Sequence, residues 1–230
     1  FYPQQQIKQE TPINLTIPDK KYLNDCLHPC VRYIPDGFLG YKWWMVQSPY
    51  PKRDSKLENP VLFFSKDESQ PIDWKFHCVV TDTPASGYNS DPNLFYEDNK
   101  LWIFWRECHT PLCEKIGADM ATVGVFTSDG INFSEPKLFL IQKKGKNEDK
   151  QQCPTLIRLN NKYYFYTVHY QYKPVRKSLG IVIWESNSLI KPDFKYKENC
   201  FVPVVYTCDR LRQLYIWGKF LFFPKPLKHD

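Results

Sequence analysis

Glycine is scarce, at 9 of 230 residues. Many turns must therefore rest on Asn, Asp and Pro, which reach turn geometry by local hydrogen bonding or a fixed φ. No apolar run approaches the roughly 18 residues of a helical membrane span. Cys-x-x-Cys pairs, a dinucleotide fingerprint, a P-loop, an HExxH zinc motif and a G-x-S-x-G nucleophile elbow are all missing. No cofactor is expected. No signal peptide is visible, but the first residue is Phe1, which leaves room for a removed targeting segment.

Proline and aromatic residues are abundant. Nineteen prolines argue against a helical protein, and a 17% share of aromatic residues favours strands. A net charge of +6 is modest and spread along the chain. Its densest basic stretch, KKGKNEDK at 143–150, also carries acids and reads as a solvated loop, so nucleic acid is not an expected partner. Eight cysteines permit disulfides, but a chain of this length does not need them. Cys26, His28 and Cys30 fall at alternate positions, which in a strand would share a face and offer zinc ligands. No second cluster supplies a fourth ligand, so buried thiols are the expectation.

A unit recurs along the chain. HPCVRYIPDGFLGYKWWMVQS starts at 28, DPNLFYEDNKLWIFWRE at 91 and CPTLIRLNNKYYFYTVHY at 153. Each has Pro near its start, then an alternating strand, a polar turn (Pro-Asp-Gly, Glu-Asp-Asn, Asn-Asn) and an aromatic strand. Pro29, Pro92 and Pro154 lie 63 and 62 residues apart. VLFFSKDESQPIDW from 61, VGVFTSDGINFSEP from 123 and LGIVIWESNSLIKPDF from 179 share a second pattern, an apolar strand and a Ser-containing turn. Four short strands per period of about 60 residues predict an all-β fold, a β-propeller rather than a sandwich. The expected organisation is one propeller domain over 1–230, with blade-like repeats near 28–77, 91–136 and 153–196. A partial fourth repeat is expected at 208–230, and INLTIP at 13–18 is a candidate closing strand. Five blades at this period need about 300 residues, so the chain is expected to be C-terminally incomplete.

At these residues the chain resembles the five-bladed β-propeller glycosidases, the clan of arabinanases, xylosidases, invertases and levanases. The resemblance spans about 28–223, blade by blade. Invertase-like members show Asp-Pro, Arg-Asp-Pro and Glu-Cys-Pro in their first three blades, and those acids serve as nucleophile or base, transition-state stabiliser and general acid. The matching positions here read His28-Pro29, Ser90-Asp91-Pro92 and Gln152-Cys153-Pro154. The resemblance thus implies a central funnel in which only the middle acid, Asp91, is kept. Gln152 cannot donate a proton in the place of the general acid.

Glycoside hydrolysis normally needs two carboxyl groups. Glu58 and Glu107, at the ends of aromatic strand regions, are the candidate replacements, and His28 can act as a base near neutral pH. The candidate catalytic set is Asp91, Glu107, Glu58 and His28, with Glu107 the first choice of proton donor. Gln152, Arg106, Tyr88, Asn89, His169 and Tyr50 are the candidate ligand contacts, since sugar C–H faces stack on aromatic rings. Each has a plainer reading: Asp-Pro starts turns, and a terminal Glu is often simply solvated. The expected partner is a glycan or small sugar, in an extracellular or cell-envelope setting. A glycan-binding module without catalysis and a structural or interaction propeller are the alternatives.

Overall fold

A computed structural model describes residues 15–22, 25–66 and 71–200. Twelve strands make up most of these residues: β1 (Cys26–Phe38), β2 (Tyr41–Pro49), β3 (Val61–Ser65), β4 (Trp74–Val79), β5 (Tyr88–Glu97), β6 (Lys100–Cys108), β7 (Ala118–Thr127), β8 (Lys137–Lys143), β9 (Glu148–Leu159), β10 (Lys162–Gln171), β11 (Lys177–Ser186) and β12 (Lys195–Cys200). One short helix, α1 (Pro111–Lys115), follows β6. The strands form three four-stranded antiparallel sheets in simple order, β1 to β4, β5 to β8 and β9 to β12. Each period of the sequence is therefore one blade, and the fold is all-β, of the β-propeller kind.

The hairpin turns show how a chain poor in glycine turns its strands. Asp98 and Asn99, and Asn160 and Asn161, all take positive φ, between 50° and 60°. Such paired left-handed residues match strand twist, and Asn and Asp tolerate them. The first hairpin departs from expectation. Its turn is Leu39–Gly40, while Pro35-Asp36-Gly37 lies inside β1 as an irregularity between the Tyr33–Trp43 and Phe38–Tyr41 pairs. The stretch from Leu15 to Ile17 forms no strand. Ile17 is instead buried on the first sheet with Met45, Val61, Phe63 and Trp74. Residues 13 and 14 of the expected closing strand, and the fourth repeat from 208, lie outside the described residues.

The sheets pack through two apolar layers. Trp44, Val46 and Leu62 of the first sheet meet Leu94, Ile103 and Trp105 of the second. Phe104 and Phe139 of the second meet Phe165 and Leu156 of the third. Phe104 sits edge-on to Phe139 and Phe165, with ring centroids 5.0 and 5.2 Å away, a favoured geometry for aromatic quadrupoles. Gly124 makes room for it, because a Cβ there would lie 2.5 Å from the Phe104 ring. Polar bonds stitch the first strands of successive blades together. The Cys30 sulfur accepts from Asn93 Nδ2 at 3.2 Å and from the Leu94 amide at 3.3 Å. Arg32 donates to the Leu94 carbonyl at 2.8 Å, and Asn93 Oδ1 accepts from the Leu156 amide at 3.4 Å.

Phe104→Ala should cost about 3–5 kcal/mol, as a buried aromatic truncation does, whereas Ile131→Ala, at a site 78% exposed, should stay within about 0.5 kcal/mol of wild type. Urea unfolding of both variants checks this. Equal midpoints would mean that Phe104 does not couple the second and third sheets.

Candidate functional site

The three prolines mark one repeated distortion. Leu27 pairs with Ser48 and Cys30 with Val46, so His28 and Pro29 together oppose Gln47. In the next blade Asp91 and Pro92 oppose Trp105, and in the third Cys153 and Pro154 oppose Thr167. Each is a β-bulge, two residues against one. A bulge tolerates Pro in a strand because the ladder bond that Pro cannot donate is already lost there. The residue before each Pro is left-handed: φ is 53° at His28, 52° at Asp91 and 50° at Cys153. Such angles are uncommon outside glycine and gather at functional sites. The structural equivalent of His28 and Asp91 is thus Cys153, and Gln152, the position matched from sequence, lies one residue earlier.

Asp91 ties these positions together. Its Oδ1 lies 3.2 Å from His28 Nδ1, and its Oδ2 accepts from the Cys153 amide at 3.1 Å and pairs with Arg106 at 3.2 Å. Arg106, buried on β6, also donates to Ser90 Oγ and pairs with Asp149. Burial opposes its charge, but Asp91, Cys108 and Asp149 outweigh that and hold its pKa well above the ordinary value. Asp149 is fully buried and accepts from the Tyr172 hydroxyl at 3.2 Å, which in turn accepts from Gln152 Nε2 at 2.9 Å. Burial, then the charge of Asp149, pushes the Tyr172 phenol up to about 12. A continuous polar chain therefore runs from His28 through Asp91, Arg106, Asp149 and Tyr172 to Gln152.

Glu58 joins this cluster from the first blade. A single turn of 3-10 helix at Ser55–Leu57, capped by Asp54, delivers it. The Asn89 amide donates to its carbonyl at 3.3 Å, and Asn89 Nδ2 donates to Asn59 Oδ1 at 2.7 Å, which fastens the segment to β5. The Glu58 side chain is 6% exposed, and its Oε2 is buried without a hydrogen-bond partner among the described residues. Burial first, then the charge of Asp91, pushes its pKa up to about 8, against the opposing pull of Arg106. Tyr88 is half-buried beside Cys108, and burial raises its phenol above the ordinary value.

The other expected residues fall elsewhere. Glu107 is not brought together with Asp91. It is next to Arg106 on β6, so its side chain takes the opposite face of the strand. Its carboxylate accepts from Thr110 Oγ1, which caps α1, and from Trp105 Nε1. There it holds the start of a helix. His169 is buried on β10 and meets Glu148 at 2.9 Å. Tyr50 is half-buried at the end of β2, where its amide donates to the Asp25 carbonyl.

Asp149 and Tyr172 were not among the candidates. Asp149 lies in the 143–150 run expected to be a solvated loop, yet β9 begins at Glu148. Alternation back from Gln151 was the available signal, since residues two apart share a strand face. The Cys26, His28 and Cys30 side chains do not form a zinc site. The bulge at His28 interrupts the alternation that would align them, and the Cys30 sulfur is occupied by β5. Among the described residues no group of three or more His, Cys, Asp or Glu side chains is arranged to hold a metal ion, and no helix is long and apolar enough to cross a membrane.

No protein-family model matches the sequence, and no curated protein shows significant similarity to it. Solved structures do match. An N-acetylgalactosamine deacetylase from F. plautii, solved with blood group B trisaccharide, superposes with a TM-score of 0.59 at 15% identity, over 78% of this chain and 54% of the other. A family 117 glycoside hydrolase of Zobellia galactanivorans gives 0.52 at 13% identity, over 75% and 55%. An α-L-arabinanase of Penicillium chrysogenum, solved with arabinobiose, gives 0.53 at 14% identity, over 74% and 49%. This chain spans about half the length of each. At these identities the likeness is one of fold: the chain has the β-propeller architecture of carbohydrate-active hydrolases.

Proposed function

We propose that the protein is a glycan-directed propeller with a hydrolase-type centre, in which Glu58 donates a proton to the glycosidic oxygen and Asp91 supplies the negative charge opposite it. The observation that carries this reading is the Glu58 carboxyl, buried beside Asp91 and pushed up to about 8. A general acid for glycoside cleavage must be protonated near neutral pH, and a like-charged neighbour together with burial achieves that. Asp91, paired with Arg106, fits the carboxylate that stabilises an oxocarbenium-like transition state. Arg106 is then a positioning residue, and Gln152, Tyr172, Tyr88 and Asn89 are the polar and aromatic groups nearest to this centre. His169 and Tyr50 remain more distant candidates for ligand contact. The sugars bound in the matched structures, blood group B trisaccharide and arabinobiose, support a sugar ligand here.

A second reading, glycan binding without turnover, draws on one feature. Both oxygens of Asp91 are already engaged, by His28 on one side and by Arg106 and the Cys153 amide on the other.

Turnover should fall as pH rises through about 8, because Glu58 then loses the proton that it must give. In Glu58→Gln, glycosides with poor leaving groups should lose nearly all turnover, while 4-nitrophenyl glycosides, which leave without a proton, should keep much of theirs. Equal loss on both substrate types would remove Glu58 from the role, and glycan binding with no wild-type turnover would leave the second reading.

The protonated state can be tested without a substrate. Unfolded, Glu58 titrates near 4.5; folded, near 8. Its contribution to stability is therefore full below about 4.5 and is lost as pH rises to about 8, with a slope of up to about 1.4 kcal/mol per pH unit. Glu58→Gln lacks this loss, so its melting temperature relative to wild type should climb between pH 5 and pH 8. Parallel pH profiles would show that Glu58 is ionised in the folded protein.

A further inference from the structure

His28 and Asp91 come from neighbouring blades and meet as an imidazole–carboxylate dyad, Nδ1 to Oδ1 at 3.2 Å. A carboxylate only accepts, so in a neutral ring this contact favours the proton on Nδ1 and leaves the lone pair on Nε2. Asp91 cannot swing away, because Arg106 and the Cys153 amide hold its other oxygen. The His28 ring is 44% exposed where the Asp91 side chain is 5% exposed, so the dyad reaches from the buried cluster to solvent. A left-handed bulge fixes each partner on its strand.

We propose that His28 is the general base of this centre, with Asp91 fixing the tautomer that leaves Nε2 free to take a proton from water. The inference rests on the hydrolytic reading above. Nε2 takes one proton from a water molecule, whose oxygen bonds to the anomeric carbon. The glycosidic C–O bond breaks, its electron pair stays on the leaving oxygen, and Glu58 protonates that oxygen. Imidazolium and carboxylate then exchange a proton through solvent, and the sum is one water consumed. Direct attack by water inverts the anomeric centre.

The test uses His28→Gly and His28→Asn, because both residues accept a left-handed backbone, with a panel of 4-nitrophenyl glycosides and with the Glu58→Gln variant in parallel. Turnover should fall about 10²–10⁴-fold in both His28 variants, imidazole added to His28→Gly should restore part of it, and the first-formed sugar should have the inverted configuration by proton NMR. His28 variants within a few-fold of wild type, or a product of retained configuration, would overturn the base role while leaving hydrolysis through Glu58 in place. Absence of wild-type turnover would overturn both. Nitrogen-15 NMR of His28 adds a reading that needs no substrate. The neutral ring should carry its proton on Nδ1 in wild type and lose that preference in Asp91→Asn; a proton on Nε2 in wild type would overturn the dyad.

Discussion

Everything at the centre of this molecule hangs on one carboxylate. Asp91 sits in the second blade, yet its two oxygens bind a side chain of the first blade, a side chain of its own and a main-chain amide of the third. A buried charge of this kind is costly unless it is paired and its lone pairs are satisfied. Here both conditions are met by groups that only the assembled sheets bring together. The carboxylate is therefore a check on assembly: with any one blade displaced, it would be left with unmet hydrogen-bonding capacity in the interior.

The surrounding charges follow from that arrangement. Arg106 stands between Asp91 and Asp149 and is the cationic partner of both. Glu58 is buried beside them, and that burial, then the charge of Asp91, holds it protonated toward higher pH against the pull of Arg106. One polar cluster thus holds two carboxyl groups that share a guanidinium and a third whose burial raises its pKa. That division of labour is what acid–base chemistry requires of a site, and it arises from packing more than from any rare residue.

Much of the architecture was legible in the order of residues. The phase of Pro29, Pro92 and Pro154 and the two alternating patterns per period anticipate successive four-stranded blades, because an X-Pro step and a period of two survive in sequence; the bulge that the prolines mark is seen only in the structure. What was not legible depends on single-residue register. Whether Gln152 or Cys153 matches Asp91 is a shift of one position, and one position reverses the face of a strand. The same parity separates Arg106, which reaches Asp91, from Glu107, which anchors α1. Asp149 was hidden because its neighbours in KKGKNEDK are charged, and only the start of β9 at Glu148 turns that residue inward. Pro35-Asp36-Gly37 has the composition of a turn but is absorbed into β1, with the reversal made two residues later.

The bulge of the third blade carries a further implication. It is the amide of residue 153, not the thiol of Cys153, that holds Asp91. Main-chain atoms do this work identically for any residue that accepts the left-handed backbone, so the side chain at this position is uncoupled from the bond that the blades share. Three matching positions, occupied here by an imidazole, a carboxylate and a thiol, behave as sockets with a common backbone and interchangeable contents. Such a layout lets the chemistry of these positions drift by substitution, one socket at a time, while the sheets that carry them stay in register.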